Sequence, residues 1–371
     1  NDTETDGLYM AEDDEGESYY YRGAVRNNYV SFAGFLWKII RRNGDGSVRM
    51  IYSGKSVSDT AYATTISGSQ FNSKYWDPTY VGYKYNEDFS LHEANEFINY
   101  PGFTNTQKYN FGTGYTFDES TKKFTLTGDI KQLTWKDNHD EIVSGQLYSC
   151  LNTGCNVLYK ITKYINDSVM RVQSISYSSN SLLSAQNNQT DSAIKTKLDN
   201  WYQSELASYS SYIADETFCD DRSVVSGTGY KVDSDTYYGA NDRLVNKKTP
   251  SLKCNQENDK FRVSSTSAKL DYPVGLILAD EAFLAGSVFG VTNTNHYLYT
   301  PYSYWTFSPF SFFVNNPHSV VIIMDNNGSL RGDAYISGFF NVRPVINLKS
   351  DVIIAKGDGS SINPFIVKTE D

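Results

Sequence analysis

The residues in this 371-residue chain with the most chemistry to offer are its four cysteines, its four histidines and two short runs of carboxylates. The cysteines are Cys150, Cys155, Cys219 and Cys254. The CLNTGC run crosses an Asn-Thr-Gly turn that a Cys150–Cys155 bridge can close, which leaves Cys219 to pair with Cys254. A zinc site made from all four is the alternative, but the pairs lie far apart and lack a second C-x-x-C. Two disulfides are therefore expected, and they imply an oxidising, extracytoplasmic home.

The histidines, His92, His139, His296 and His318, sit in different regions, with no H-x-x-x-H pair and no G-x-S-x-G elbow. Gly44-Asp45-Gly46 lacks the lysine and helix start of a phosphate loop. Asp280 and Glu281 are adjacent, so their side chains point apart, and the start of a helix explains both. The acidic run Glu12, Asp13, Asp14, Glu15, Glu17 lacks the ligand spacing and glycine of an EF-hand. Arg331-Gly332-Asp333 has the form of an integrin triplet, yet a chance tripeptide accounts for it. The expectation is no catalytic set, no metal, no cofactor and no enzyme.

Recognition is the chemistry that remains. Tyr297, Tyr299, Tyr302, Tyr304, Trp305 and Phe307 crowd a short stretch near Asn315 and Asn316. Rings beside amides suit a sugar or a protein surface. We take Tyr299, Tyr302, Tyr304, Asn315 and Asn316 as the candidate ligand-binding residues, and Trp37, Trp201, Trp305 and Arg343 as structural core. Thirty tyrosines against four methionines fit either an outward recognition surface or cross-strand pairs in a β-rich core, and both readings stay open. A net charge of −10 argues against nucleic acid as a partner.

Several elements must position these groups. Tyr29–Phe32, an Ala33-Gly34 turn, and a hairpin of Phe35–Ile40 with Val48–Tyr52 around Asp45-Gly46 read as strands. Residues 53–90 read as an ordered loop region pinned by aromatics, and Leu91–Ile98 as a short helix ended by Pro101-Gly102. Short strands at Tyr115–Phe117, Lys123–Gly128, Val157–Thr162 and Ser168–Val172 suggest a β-rich insert stapled by the small disulfide loop. Ile194, Leu198, Trp201, Tyr202 and Leu206 define a helix face, capped by Thr190 or Asp191 and running to Tyr209. Arg222 and Arg243, in a long polar loop, read as partners in structural ion pairs. Val320–Met324, an Asn326-Asn327-Gly328 turn and Arg343–Leu348 close the chain. These stretches divide it into a flexible acidic lead-in (1–18), an N-terminal part of the main domain (19–105), the insert (106–178), a C-terminal part (179–350) and a terminal strand or tail (351–371).

The stretches Tyr21–Ile40, Tyr304–Pro309 and Phe340–Leu348 resemble the opening and closing motifs of an uncharacterised family of secreted or membrane-anchored surface proteins of Firmicutes. Asn200-Trp201-Tyr202, Tyr212–Asp215 and Phe218–Ser223 resemble it as well. That family is similar in layout to the C-type-lectin-like fold of formylglycine-generating enzymes and variable receptor-binding proteins. The resemblance implies an α+β, C-type-lectin-like fold with long loops, in which first and last strands pair. Formylglycine-generating enzymes bind copper through a cysteine pair, and here no cysteine follows Cys254. The expected role is thus an extracellular binding or adhesion module on a Gram-positive-type cell surface. Its ligand would be a host or bacterial surface glycan or protein, with any membrane anchor outside these residues. Self-association as a structural or pilus-associated subunit is the alternative, and an enzyme of unknown class a lesser one.

Overall fold

The computed structural model describes residues 6–55, 64–98, 108–134, 147–150, 154–166, 169–314 and 317–369. Alternating apolar residues and tight turns give a mixed α+β fold, whose larger sheets have eight, seven and six strands.

The eight-stranded sheet is centred on Phe35–Arg42. On one edge that strand pairs with Tyr29–Phe32 and Gly16–Arg22, on the other with Val48–Tyr52. The turn at Ala33 and Gly34 takes positive φ at both residues, 53° and 76°, as a two-residue hairpin demands. The two ends of the chain meet here. Val345–Leu348 runs antiparallel to Val48–Tyr52, and Phe365–Val367 runs parallel to Tyr29–Phe32. A seven-stranded sheet is built on Tyr304–Phe313 and His318–Met324.

The six-stranded sheet joins strands between 108 and 179 to Phe89–Ile98, while Gly114–Asp118 and Lys123–Thr127 form a separate hairpin. The sheet contains a correction. Phe89–Ile98 is a strand along Val169–Ser179, not a helix. Its Leu, Glu and Ala favour a helix weakly, but a long partner strand offers a full ladder, and tertiary pairing wins. The insert is no detached lobe. Phe111, Val157, Tyr159, Ile161 and Val172 pack on Val232, Phe312 and Val314 of the body in one buried cluster. The disulfides Cys150–Cys155 and Cys219–Cys254 are both formed, and no described cysteine is free.

The N-terminal acidic stretch also differs from the expected flexible lead-in. Gly7–Asp13 and Gly16–Arg22 form a hairpin joined to the main sheet. Asp13 is buried and pairs with Arg41 at 2.6 Å. The sequence shows the charge but not the guanidinium that neutralises it.

The helix Ala193–Glu205 is capped by Ser192, one residue beyond the expected cap, and gives way to a 3-10 turn at Ala207–Tyr212. Ile194, Leu198 and Tyr202 are buried. Trp201 is half-buried, its ring 6.2 Å from Trp37 and 5.9 Å from both Phe35 and Tyr52. Trp37, Trp305 and Arg343 lie inside. Arg343 donates to the carbonyls of Tyr52 (3.0 Å) and Leu298 (2.9 Å), tying a strand end to the aromatic loop. No helix among the described residues is long and apolar enough to cross a membrane, which says nothing of membrane-crossing strands.

Asp77 shows how tightly the body is packed. It caps the turn Pro78–Val81, with Oδ1 accepting from Thr79 N at 2.9 Å, while Oδ2 is buried without a hydrogen-bond partner. Burial pushes its pKa up to about 8. A raised folded-state value means the folded chain holds the proton longer than the unfolded one. The stabilisation is therefore complete below the ordinary value of 3.8 and is lost as pH rises through about 8. Asp77→Asn should remove that loss. Relative to wild type, its stability should improve by up to about 1.4 kcal/mol per pH unit between those values. Urea denaturation at several pH values reads this directly, and parallel profiles for the two proteins would refute it.

Candidate functional site

Arg222 builds a broad polar cleft from beneath. Its side chain is fully buried, with Nε donating to Asp259 Oδ1 at 2.7 Å. Its other nitrogens reach the carbonyl oxygens of Lys84 (3.3 Å), Gln186 (3.3 Å) and Asn258 (2.9 Å), and the side-chain oxygen of Asn188 (3.1 Å). One planar cation thus gathers three separate chain segments. Asp220 lies 3.7 Å from the same guanidinium, and burial pushes its pKa up to about 8. Asp259, in direct contact with Arg222, carries the compensating charge.

Above this scaffold lies a cleft of about 880 Å³, lined by Asn86, Glu87, Asp88, Ser181, Leu183 and Ser184, and by Asn187, Gln189, Thr190 and Asn258. Local turns fix its walls. Ser181 caps the short helix Leu182–Ala185, and Asn86 Nδ2 donates to the carbonyl of Ser184 at 3.2 Å. Glu87 is held by Tyr80 (2.7 Å) and Lys74 (2.5 Å). The carboxamides of Asn187 and Gln189 are exposed and make no hydrogen bond within the described chain, and Leu183 is 72% exposed beside them. The cleft therefore presents outward-facing amide donors and acceptors, the neighbouring carboxylates of Glu87 and Asp88, and one apolar step.

The expected ligand residues fare unevenly. Tyr304 is wholly buried; its hydroxyl donates to the carbonyl of Leu298 (3.0 Å) and accepts from Arg343 (3.3 Å). It has no surface to offer a ligand, because its strand is central in the seven-stranded sheet. Tyr299 is half-buried, and Tyr302 is 39% exposed. Asn315 and Asn316 lie outside the described residues. Tyr299, Tyr302 and Tyr304 do not line the polar cleft, whose residues come from turns that sequence reading passed over as loop. The cluster Asn86-Glu87-Asp88 and the run Asn187-Asn188-Gln189 were the available signal.

The carboxylates singled out in the sequence are consumed by structure. Asp280 pairs with Arg243 at 3.0 Å, and Arg243 also meets Asp221. Glu281 pairs with Arg41 (2.9 Å) and Arg49 (2.7 Å). Asp191, Asp199 and Asp271 converge as a metal site would, but the buried ammonium of Lys195 sits among them at 3.0, 2.5 and 2.5 Å. Burial works against the charge on Lys195, and the bonds to Asp199 and Asp271 more than offset it, raising its pKa. The chain thus supplies its own cation. In the Arg331-Gly332-Asp333 triplet, Arg331 pairs with Asp333 at 2.5 Å, so the two charges face each other.

No family model, no curated protein and no solved structure matches this chain.

Proposed function

We propose that this protein is an extracellular binding module of C-type-lectin-like type, and that its cleft takes a hydroxyl-rich ligand such as an oligosaccharide. The observation that carries the reading is the set of unpartnered carboxamides of Asn187 and Gln189 on a floor held rigid by Arg222. Amides can donate to and accept from sugar hydroxyls at once, and a preformed site avoids the entropy of ordering it on binding. Two disulfides, and the pairing of Val345–Leu348 with Val48–Tyr52 and of Phe365–Val367 with Tyr29–Phe32, support the reading.

A glycan array run with and without calcium tests it. Binding to a defined neutral glycan is expected in both conditions. The doubly substituted Asn187→Ala, Gln189→Ala chain should lose about tenfold or more in affinity, at about 1 kcal/mol per hydrogen bond, with its unfolding midpoint unchanged. Retained affinity in that variant would move the site elsewhere.

Self-association is favoured by one separate observation. The outermost strand Gly7–Asp13 exposes Leu8 and Met10, at 58% and 56%, on an open sheet edge. Edges of this kind pair readily with another chain. Light scattering that shows mass rising with concentration, and falling on Leu8→Lys, would support a structural subunit.

A further inference from the structure

The charges around the Arg222 cleft do not cancel, and the remainder is negative. No basic side chain lines the cleft among the described residues. Arg222 beneath it is matched by Asp259 at 2.7 Å, and burial favours the neutral form of Asp220 beside them. Lys74 is committed to Glu87, and Lys84 to Asp191 at 3.0 Å. Asp88 is left over. Its side chain is exposed, lines the cleft and makes no hydrogen bond or ion pair within the described chain. Glu87 adds a second open acceptor. Tyr80 and Lys74 both bond to its Oε1, and Oε2 makes no hydrogen bond within the described chain.

Neighbouring residues on a strand point to opposite sides, so a regular ladder would part these two carboxylates. The backbone leaves the ladder here. Lys84–Tyr85 ends its short pairing with Thr190–Asp191, and Phe89–Ile98 has not begun. Asp88 N donates to Asn86 Oδ1 at 3.3 Å, and Phe89 N donates to Glu87 O at 2.9 Å. Those bonds fold residues 86–88 into a tight turn whose three members all line the cleft. Ionised carboxylates accept hydrogen bonds and donate none. A sugar hydroxyl can bring them one hydrogen, whereas an ammonium brings three and a full charge.

We propose that this cleft selects an oligosaccharide bearing free amines, of the hexosamine class, with an ammonium seated against Asp88 and Glu87 Oε2 and ring hydroxyls on the carboxamides of Asn187 and Gln189. The inference rests on the sugar-binding reading of the cleft and narrows it to one charge class. A net charge of −10 disfavours anions over the whole surface. The open carboxylate oxygens single out this place for a cation. The gain is modest, because water and salt screen an exposed pair.

Titration calorimetry on the intact chain tests the proposal with a β-1,4-linked glucosamine tetramer, cellotetraose, tetragalacturonate and tetralysine. It is run at about pH 6, below the ordinary amine range. The glucosamine tetramer replaces each 2-hydroxyl of cellotetraose by an amine and keeps the linkage. It should bind about three- to fivefold more tightly than cellotetraose. Tetragalacturonate should bind more weakly than either, and tetralysine no more tightly than cellotetraose. Asp88→Asn should bring the ratio of glucosamine to glucose tetramer affinity toward one, as should added salt. The Asn187→Ala, Gln189→Ala chain should weaken both tetramers and keep their ratio. Equal affinity for the two tetramers, or an unmoved ratio in Asp88→Asn with its unfolding midpoint intact, would overturn the amine assignment and leave the sugar-binding reading standing. Tetralysine as tight as the glucosamine tetramer would reduce the effect to bare charge and overturn the hexosamine class. No saturable binding of any tetramer at millimolar concentration would overturn both readings.

Discussion

Glu281→Ala is expected to destabilise this protein by about 3–5 kcal/mol, the cost of removing one partner from a buried ion pair. Arg41 and Arg49 stand directly opposite each other on paired strands, an arrangement of like charges that weakens a sheet. Glu281 resolves it. One oxygen takes both guanidinium groups, at 2.9 and 2.7 Å, and the other accepts from Leu278 N at 3.0 Å to start the helix Ala279–Leu284. Asp13 supplies the second negative charge through Arg41, so the buried set is neutral. Without the carboxylate, Arg49 is left with the carbonyl of Thr217 and the face of Phe218. Burial already lowers its pKa to about 10. Since whole domains are stable by about 5–15 kcal/mol, the alanine variant should unfold at far lower urea. Glu281→Gln, which can still cap the helix, should fall between. Adding Arg49→Met to Glu281→Gln should restore part of the loss, because it removes the orphaned charge. A double variant no more stable than the single one would count against charge balance as the cause.

Arg222→Met should have a comparable effect, about 3–5 kcal/mol, since it leaves Asp259 buried without its cation. The more informative change is Arg222→Lys. An ammonium keeps the charge but cannot span Lys84, Gln186, Asn188 and Asn258 in one plane. The expected result is a folded protein that has lost about 2–3 kcal/mol, consistent with several weakened hydrogen bonds. Amide exchange should speed up at Tyr85 and Asn187–Thr190 and stay slow in the helix Ala193–Glu205. Because the cleft's walls would loosen, ligand affinity should drop with Asn187 and Gln189 intact. Uniform exchange across the chain would mean that Arg222 supports the fold as a whole rather than this cleft.

Sequence patterns alone carried the hairpin of Phe35–Ile40 with Val48–Tyr52, whose first strand runs on to Arg42, the helix face of Ile194, Leu198 and Tyr202, and both cysteine pairs. Each rests on local signals: a period of two, a period of three to four, an Asp-Gly turn, or a short loop between thiols. Arg222 and Arg243 were readable as structural ion pairs because long polar loops bury charge only when it is paired.

What only the tertiary structure decided was where charge and pairing partners come together. The strand Phe89–Ile98 looks helical until Val169–Ser179 lies beside it. The acidic N-terminus looks like a solvated tail until Arg41, distant in sequence, neutralises Asp13. Asp191, read from the sequence as a helix cap, instead joins Asp199 and Asp271 around the ammonium of Lys195. The aromatic block carried the strongest recognition signal in the sequence, yet it buried Tyr304 and left the polar cleft to turns at Asn86 and Asn187. Local sequence fixes backbone preference within a few residues. Burial, and so the energy of every charge and ring, depends on contacts hundreds of residues apart.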